Sequence, residues 1–439
     1  MPSDSFDCVI VGARCSGAPL ARHLANGGMK VCIVDADALP SDQPFSTHAI
    51  HAPGMDLLDE VGVGAAVRAG APPVRVSRLV VGGVVVDVAH PPGREMRCPR
   101  RARLDALLQE AATAAGAELR DETTVLGLVK DGERVAGVTV RHGDRTYDIR
   151  ARVVVGADGR NSTIARLVRA EEYLGAENQR GGYWAYWPVT PAIERLPYQT
   201  IIEIDRDDAR FLFLTDDGLA LAGGIPKIAT ARTWSDDIEG RLAEYLSRSE
   251  VIRALVDGKP PRTRPVGLLK ARFFFRVPVG PGWALVGDAG LHKDPMPGLG
   301  ITDALRDARS LSKALLDGRD AALEVYWRER DVLSMPLFAN ANAMGALSYD
   351  NPFNALVLEH VRRSPVLKER LRAAFERKVS PFEIIPTWRV LAWTARALVG
   401  GRTDVLPHFL ESAKLGSWVR GGVSRRQKLL GAARRKLRD

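Results

Sequence analysis

The sequence predicts an α/β fold in which a parallel, helix-covered sheet is interleaved with a β-rich second domain and followed by a helical C-terminal region. Three observations predict it. The chain opens with an apolar strand over residues 6–11, a Gly-containing turn, a helix and a second apolar strand over 30–34 that ends at Asp35. Two later segments again place an acid just past a buried apolar run, at Asp158 and at Asp288. Segments of this kind alternate with β-like stretches to about residue 330, and the remainder reads as helices.

The elements follow in order. Both opening strands are near-continuously apolar, as parallel strands covered on both faces are. The helix between them spans 16–26, and Gly27-Gly28 closes it. Residues 40–53 read as a polar loop containing His48 and His51, and a short helix covers 54–61. Over 74–88, Val-Val-Gly-Gly-Val-Val-Val predicts two strands joined by a turn. Residues 101–115 form an amphipathic helix with Leu104, Leu107 and Leu108 on one face. Hairpin turns follow near Asp131-Gly132 and Gly143-Asp144, then a buried strand over 152–155. Residues 181–279 are β-like and aromatic-rich, interrupted by a helix over 238–247. Strand alternation puts Trp184 and Tyr186 on one face and Tyr183 and Trp187 on the other. One pair lines an aromatic substrate pocket, or both are core. A strand over 283–286 precedes a helix over about 301–316, and later helices are broken at Pro352, Pro365, Pro381, Pro386 and Pro407. The predicted division is 1–73, 100–179 and 281–330 for the dinucleotide-type domain, 74–99 and 180–280 for the β-rich substrate domain, and 331–439 for the helical region.

Composition narrows the function classes. A chain of 439 residues with 46% hydrophobic and 26% charged residues suits a soluble enzyme with a large core. The formal net charge is +9, but the bases are dispersed among acids and no basic run is interleaved with stacking aromatics, which sets nucleic acid aside. Cys8, Cys15, Cys32 and Cys98 lack CxxC spacing, so neither a disulfide framework nor a metal site is expected. With no leader pattern and no apolar run of spanning length, the expected location is the cytoplasm. The tail over 418–439 contains Arg420, Arg425, Arg426, Lys428, Arg434, Arg435, Lys436 and Arg438 around Leu429 and Leu430. It reads either as a peripheral membrane contact or as a solvated helix.

Three motifs carry chemistry. The first is Gly12-Ala-Arg-Cys-Ser-Gly17, with Asp35 eighteen residues beyond Gly17. Glycine at the strand end makes a tight turn, the helix N-terminus attracts a pyrophosphate, and the acid accepts ribose hydroxyls. Arg14 replaces the usual middle glycine; it either compensates with charge or keeps a dinucleotide away. The second motif is Gly156-Ala-Asp158-Gly-Arg-Asn-Ser162, and the third runs Gly287-Asp288-Ala-Gly-Leu-His292-Lys-Asp-Pro295-Met-Pro-Gly298-Leu299-Gly300. Each puts an acid at the carboxyl end of a strand, where open α/β sheets bind ligands. A helix-capping carboxylate explains either acid alone. It does not explain three sites in this order.

In order and spacing, these motifs resemble those of the class A flavoprotein monooxygenases of the para-hydroxybenzoate hydroxylase-like fold. That superfamily also holds geranylgeranyl reductases and flavin-dependent halogenases, and the resemblance covers roughly residues 5–335. It implies a Rossmann-like FAD-binding domain (GR2-type), with Gly12, Gly17 and Asp35 at the ADP moiety and Arg101 against the flavin; Arg14, where this chain departs from the family's pattern, is counted with the cofactor-binding residues. It further implies Asp158 at FAD and nicotinamide, Asp288 on the ribityl chain, and Gly298, Leu299 and Gly300 at the flavin edge. Pro295 falls beside the oxygen-reactive face, and residues 46–48 run beside the isoalloxazine. The implied reaction is a monooxygenation: NAD(P)H reduces FAD, O₂ adds at C4a, and the hydroperoxide oxygenates an aromatic or unsaturated small molecule. Double-bond reduction is the alternative, and halogenation a more distant one. No second dinucleotide fingerprint is present, so NAD(P)H docks transiently or a separate reductase supplies electrons. His48 and His292, with Pro295, are the candidate catalytic residues; for His48 and His51 a structural pairing is the competing reading. Lys293 and Asp294 flank His292 as a possible ion pair.

Overall fold

The computed structural model describes residues 5–41, 46 and 48–438, and their side chains except at 416–418 and 431–438. Thr47 of the 46–48 segment and the side chains of Trp418, Arg434, Arg435, Lys436 and Arg438 therefore lie outside the described residues.

Strand Ser5–Val11 pairs in parallel with Val31–Val34 on one side and with Arg145–Gly156 on the other. Trp283–Leu285 joins Arg145–Gly156 in parallel, and Glu118–Arg120 joins Val31–Val34. The register sets Val11 opposite Gly156, and Gly156 opposite Leu285. The three strands that precede the three motifs are thus neighbours whose carboxyl ends emerge together. Helices Gly17–Asn26, Arg101–Ala114 and Gly300–Asp317 are clustered around Gly17–Asn26, which touches both of the others. Cys8 and Cys32 are buried within these strands and pack as small apolar residues. Arg134–His142 pairs antiparallel with Arg145–Gly156 and with Thr123–Asp131, and this hairpin extends the sheet.

A second sheet of seven strands runs in the order Val266–Leu268, Gly182–Pro188, Leu219–Gly224, Asp208–Leu214, Thr200–Asp205, Val76–Val81, Val84–Ala89. Its aromatic strand alternates as the pattern requires. Tyr183 and Trp187 share a cluster with Leu242, Tyr245, Ile252 and Leu255 of helices Ile238–Leu246 and Glu250–Val256. Tyr186 and Trp184 face the other way, among Phe211, Phe213, Ala49, Val74 and Met96. The run Phe273–Phe275 does not belong to this sheet. Strand Arg272–Arg276 pairs with Glu172–Glu177 and Leu291–His292 in a separate three-stranded sheet, which packs next to the third motif.

The C-terminal third is helical. Pro352 and Pro365 open the helices Pro352–Arg363 and Pro365–Phe375. Pro407 breaks nothing: it lies in the first turn of Val405–Arg438, where its missing N–H has no helical partner to lose. The long helix Asp320–Gly345 is tied down by a buried network. Arg330 donates to Asp331, to the Tyr173 hydroxyl and to the Arg276 carbonyl, while Tyr173 donates to Asp331. The final helix docks on the body through its apolar residues. Leu430 joins the main core, Val419, Val423 and Leu429 pack against it, and Arg426 is buried beneath the Arg328 carbonyl. Among the described residues of the tail, Val419, Val423, Leu429 and Leu430 are thus packed against the body. Among the described residues no helix is long and apolar enough to cross a membrane.

Candidate functional site

The turn after the first strand is shaped by two close approaches. Gly12 has φ +106°, and a β-carbon on it would lie 2.5 Å from the Ala157 carbonyl oxygen. A β-carbon on Gly17 would lie 1.8 Å from the Gly12 carbonyl oxygen. Only glycine fits either position. Asp35 braces the turn from the next strand: Oδ2 accepts the Ala13 N–H at 2.7 Å and Oδ1 the Asp37 N–H at 3.0 Å. Each oxygen keeps a lone pair for a further donor.

Arg14 is held by its own neighbours. Its guanidinium donates to Asp37 at 2.6 Å and to Ser41 at 2.8 Å, and a second nitrogen lies 3.6 Å from Asp105. Asp105 is buried and also accepts from Arg101 at 2.8 Å and from the Cys15 thiol at 3.2 Å. Burial works to lower the Arg101 pKa, but the Asp105 charge more than offsets it and raises it above the usual value. Neither Asp37 nor Asp105 was among the expected site residues. The signal for Asp105 is its i,i+4 spacing from Arg101 on the predicted helix.

Asp158 caps the short helix Thr163–Leu167, accepting from the Ser162 hydroxyl at 2.5 Å and the Thr163 N–H at 2.6 Å. Burial raises its pKa, against the pull of those donors. Asp288 is half-exposed and pairs with His292 Nδ1 at 3.0 Å. Burial works upward on its carboxyl, but His292, Arg160 and Arg101 outweigh it and hold the pKa below the usual value. His292 Nε2 is buried without a partner.

The third-motif loop departs from expectation. Lys293 pairs with Asp303 rather than with Asp294, and Asp303 also meets Arg306 and Arg377. Arg306 lies three residues beyond Asp303 on the helix Gly300–Asp317, a spacing legible in the sequence, whereas Arg377 comes from the C-terminal region, which sequence proximity does not reveal. Asp294 is left with the Met296 N–H at 2.9 Å, is only 7% exposed, and is pushed by burial up to about 7.

Gly12, Arg14, Asp35, Arg101, Asp158, Asp288, His292, Pro295, Gly298 and Gly300 line one cavity of about 590 Å³. Lys293, Asp294, Ser46 and Ala49 line it too. Gly17 and Leu299 are buried outside that lining. His48, between Ser46 and Ala49, turns instead to the seven-stranded sheet. Its Nε2 meets the Tyr186 hydroxyl, and the two rings lie parallel within 7°. Burial, with Arg101 and Arg100 nearby, lowers His48 to about 3. His51 donates to the Pro297 carbonyl at 3.2 Å and is lowered by burial to about 4. Both histidines are neutral at neutral pH.

The cavity suits a dinucleotide. Its volume falls in the ~300–1,000 Å³ range of cofactor sites. A β-carbon on Gly159 or on Gly300 would meet no protein atom within 4 Å, so both leave open space at the wall. His292 Nε2 is a buried polar atom with no hydrogen-bond partner, and Arg14 Nη1 has only the ion-pair contact with Asp105 at 3.6 Å; both residues line the cavity.

Comparison with known proteins gives the same picture. The family described as FAD binding domain matches residues 5–340. A digeranylgeranylglycerophospholipid reductase of Thermoplasma acidophilum is 24% identical over 338 residues, covering 72% of this chain and 80% of that protein. A rifampicin monooxygenase of Streptomyces venezuelae is 24% identical over 364 residues, covering 79% of this chain and 72% of that protein. The solved structure of the flavin-dependent brominase Bmp2 superposes with a TM-score of 0.74 at 16% identity, covering 91% of this chain and 99% of that one.

Proposed function

The chain belongs to the FAD binding domain family and is an FAD-dependent oxidoreductase, and from that premise we propose that it is a monooxygenase. In this reading it uses NAD(P)H and O₂ to hydroxylate or epoxidise a small aromatic or unsaturated organic molecule. The observation that carries the proposal is the one cavity whose wall is drawn from all three motif segments. The likeness to a rifampicin monooxygenase over most of both chains supports it.

FAD, when bound, supplies the redox and oxygen chemistry. The protein's part is to hold it, orient it and keep water away. The Gly12–Gly17 turn and the N-terminus of helix Gly17–Asn26 receive the pyrophosphate, whose charge the helix dipole favours. Asp35 accepts from the adenosine ribose, and Asp288 from the ribityl hydroxyls. Arg14 is already neutralised by Asp37 and Asp105, so it fixes the outer wall of the turn rather than adding free charge to the phosphates. Arg101, held by Asp105, is a fixed cation beside the ring. Gly300, the first residue of helix Gly300–Asp317, would offer its backbone amide to the electron-rich edge of the flavin, while the Gly298 amide donates to the Pro295 carbonyl at 2.9 Å and so fixes the loop. Asp294 holds a proton near neutral pH next to Pro295, where it can give that proton to a substrate or take one back. The face carrying Tyr186, Phe211 and Phe213 excludes water from the substrate side.

Double-bond reduction is the second reading, favoured by the reductase relative that spans 72% of the chain. Halogenation rests on fold likeness alone. The deciding experiment measures NAD(P)H-driven O₂ consumption by the FAD-loaded protein with candidate substrates. Substrate-dependent consumption supports monooxygenation. Reduction of a substrate double bond in anaerobic buffer overturns it in favour of the reductase.

A further inference from the structure

The helix Thr387–Val399 is apolar on both long faces. On the inward side Trp393 packs with Leu358, Val361 and Leu367 and stacks on His360 at 3.9 Å, and Thr394 is buried. On the outward side Trp388, Leu391, Ala392, Ala395 and Val399 form a stripe at helical spacing, all exposed. Trp388 is 65% exposed, Leu391 50% and Val399 91%. A surface helix normally turns charged residues outward once its other face is buried. Here water meets a tryptophan and aliphatic side chains. Leu406 and Leu410 are exposed one turn apart on Val405–Arg438, the helix that packs against this one. Contiguous apolar surface of this kind marks a docking face.

Charge selects the occupant. On the helix Thr387–Val399 the only charged residues are Arg389 and Arg396; Arg402 beyond it is paired with Asp404 at 3.3 Å. The Arg389 guanidinium lies 5.3 Å from the centre of the Trp388 ring, and Arg396 is exposed beside the stripe. An amphipathic ring with cations at the same level matches the boundary between lipid headgroups and acyl chains. A two-fold contact with a second copy would instead set these arginines against themselves. We propose that the outward face of Thr387–Val399 docks on an anionic lipid bilayer. Trp388, Leu391 and Val399 enter the boundary region, while Arg389 and Arg396 meet lipid phosphates. This face is separate from the basic tail, whose described apolar residues Val419, Val423, Leu429 and Leu430 face the core.

The test floats the full-length, FAD-loaded protein with vesicles of phosphatidylcholine alone and of phosphatidylcholine mixed equally with phosphatidylglycerol. The protein is expected to float with the mixed vesicles, and less so at high salt. Trp388→Ser/Leu391→Ser should weaken binding about tenfold, and Arg389→Gln/Arg396→Gln should remove the preference for anionic lipid. Val399→Glu is an independent probe at the most exposed position and should weaken binding as well. FAD content and far-ultraviolet dichroism should match the unaltered protein in each variant. Absence of flotation with the mixed vesicles overturns the proposal, as does flotation unchanged by all three variants. A dimer in sedimentation velocity that Trp388→Ser/Leu391→Ser converts to a monomer also overturns it and assigns the face to a second copy.

Discussion

Asp294 sits between two residues whose side chains have other business. Lys293 is taken by Asp303, and Pro295 has no donor to offer. Its carboxyl is ordinarily near 3.8 and is pushed by burial up to about 7. Between those values the folded protein holds a proton that the unfolded chain has released, so this group makes stability fall as pH rises through the window. Asn keeps an acceptor for the Met296 N–H and has no charge to bury. Asp294→Asn should therefore be more stable than the unaltered protein at about pH 8, by on the order of 4 kcal/mol, and little different at about pH 4. Urea unfolding of the FAD-loaded protein at both pH values checks it, and an equal effect at the two would reject the assignment. Single residues were unevenly legible in the sequence. Gly12, Gly17 and Asp35 could be read because a tight turn admits few residue types. The partners of Arg14, Lys293 and His48 could not. Asp37 and Tyr186 become neighbours only through packing of distant segments, and Asp303, ten residues beyond Lys293, only through the path of the loop between them; nothing local to each residue announces them.

Elements were more legible than their partners. Hydrophobic periodicity located the first strands, the Arg101–Ala114 helix and the Gly300–Asp317 helix to within a residue or two. Alternation also sorted Trp184 and Tyr186 from Tyr183 and Trp187, because side chains of a strand must change sides at each step. Periodicity is silent about which element covers a face. Phe273–Phe275 reads like one more strand of the aromatic sheet, yet pairs with Glu172–Glu177 instead. The last helix reads as a solvated basic tail, yet Leu430 is buried in the main core and is only 7% exposed. Leu430→Ala should cost ~2–5 kcal/mol through the cavity it leaves, whereas exposed Lys428→Ala should stay within ~0.5 kcal/mol. Equal urea midpoints for the two variants would show that this helix does not contribute to the folded core.

For the molecule as a whole, buried neutral histidines set the acid limit. His48 and His51, lowered to about 3 and about 4, stay neutral in the fold while the unfolded chain takes up protons below its ordinary 6.5. Their contribution is fully present above about pH 6.5 and is lost as pH falls toward 4. Asp294 opposes them, as do Asp158, Glu203, Asp216 and Asp331, whose carboxyls burial also raises. His23, His90 and His360 are lowered by burial and add to His48 and His51, and with five histidines on that side the urea midpoint should fall on going from about pH 7 to about pH 4.5. A midpoint that holds steady or rises would contradict this. The outward apolar face of Thr387–Val399 belongs to the same scale, since its exposure depends on how the whole C-terminal region seats. The sequence by itself determined the α/β class and the three motif positions. Turns that need glycine, strands that must be apolar on both faces and acids at strand ends are local demands written in local residue order. Only the tertiary structure decided that the three motifs share one cavity, because that follows from setting Ser5–Val11, Arg145–Gly156 and Trp283–Leu285 side by side. It also decided which charges cancel there and which carboxyl keeps its proton, because burial and ion pairing depend on what packs alongside rather than on what comes next in the chain.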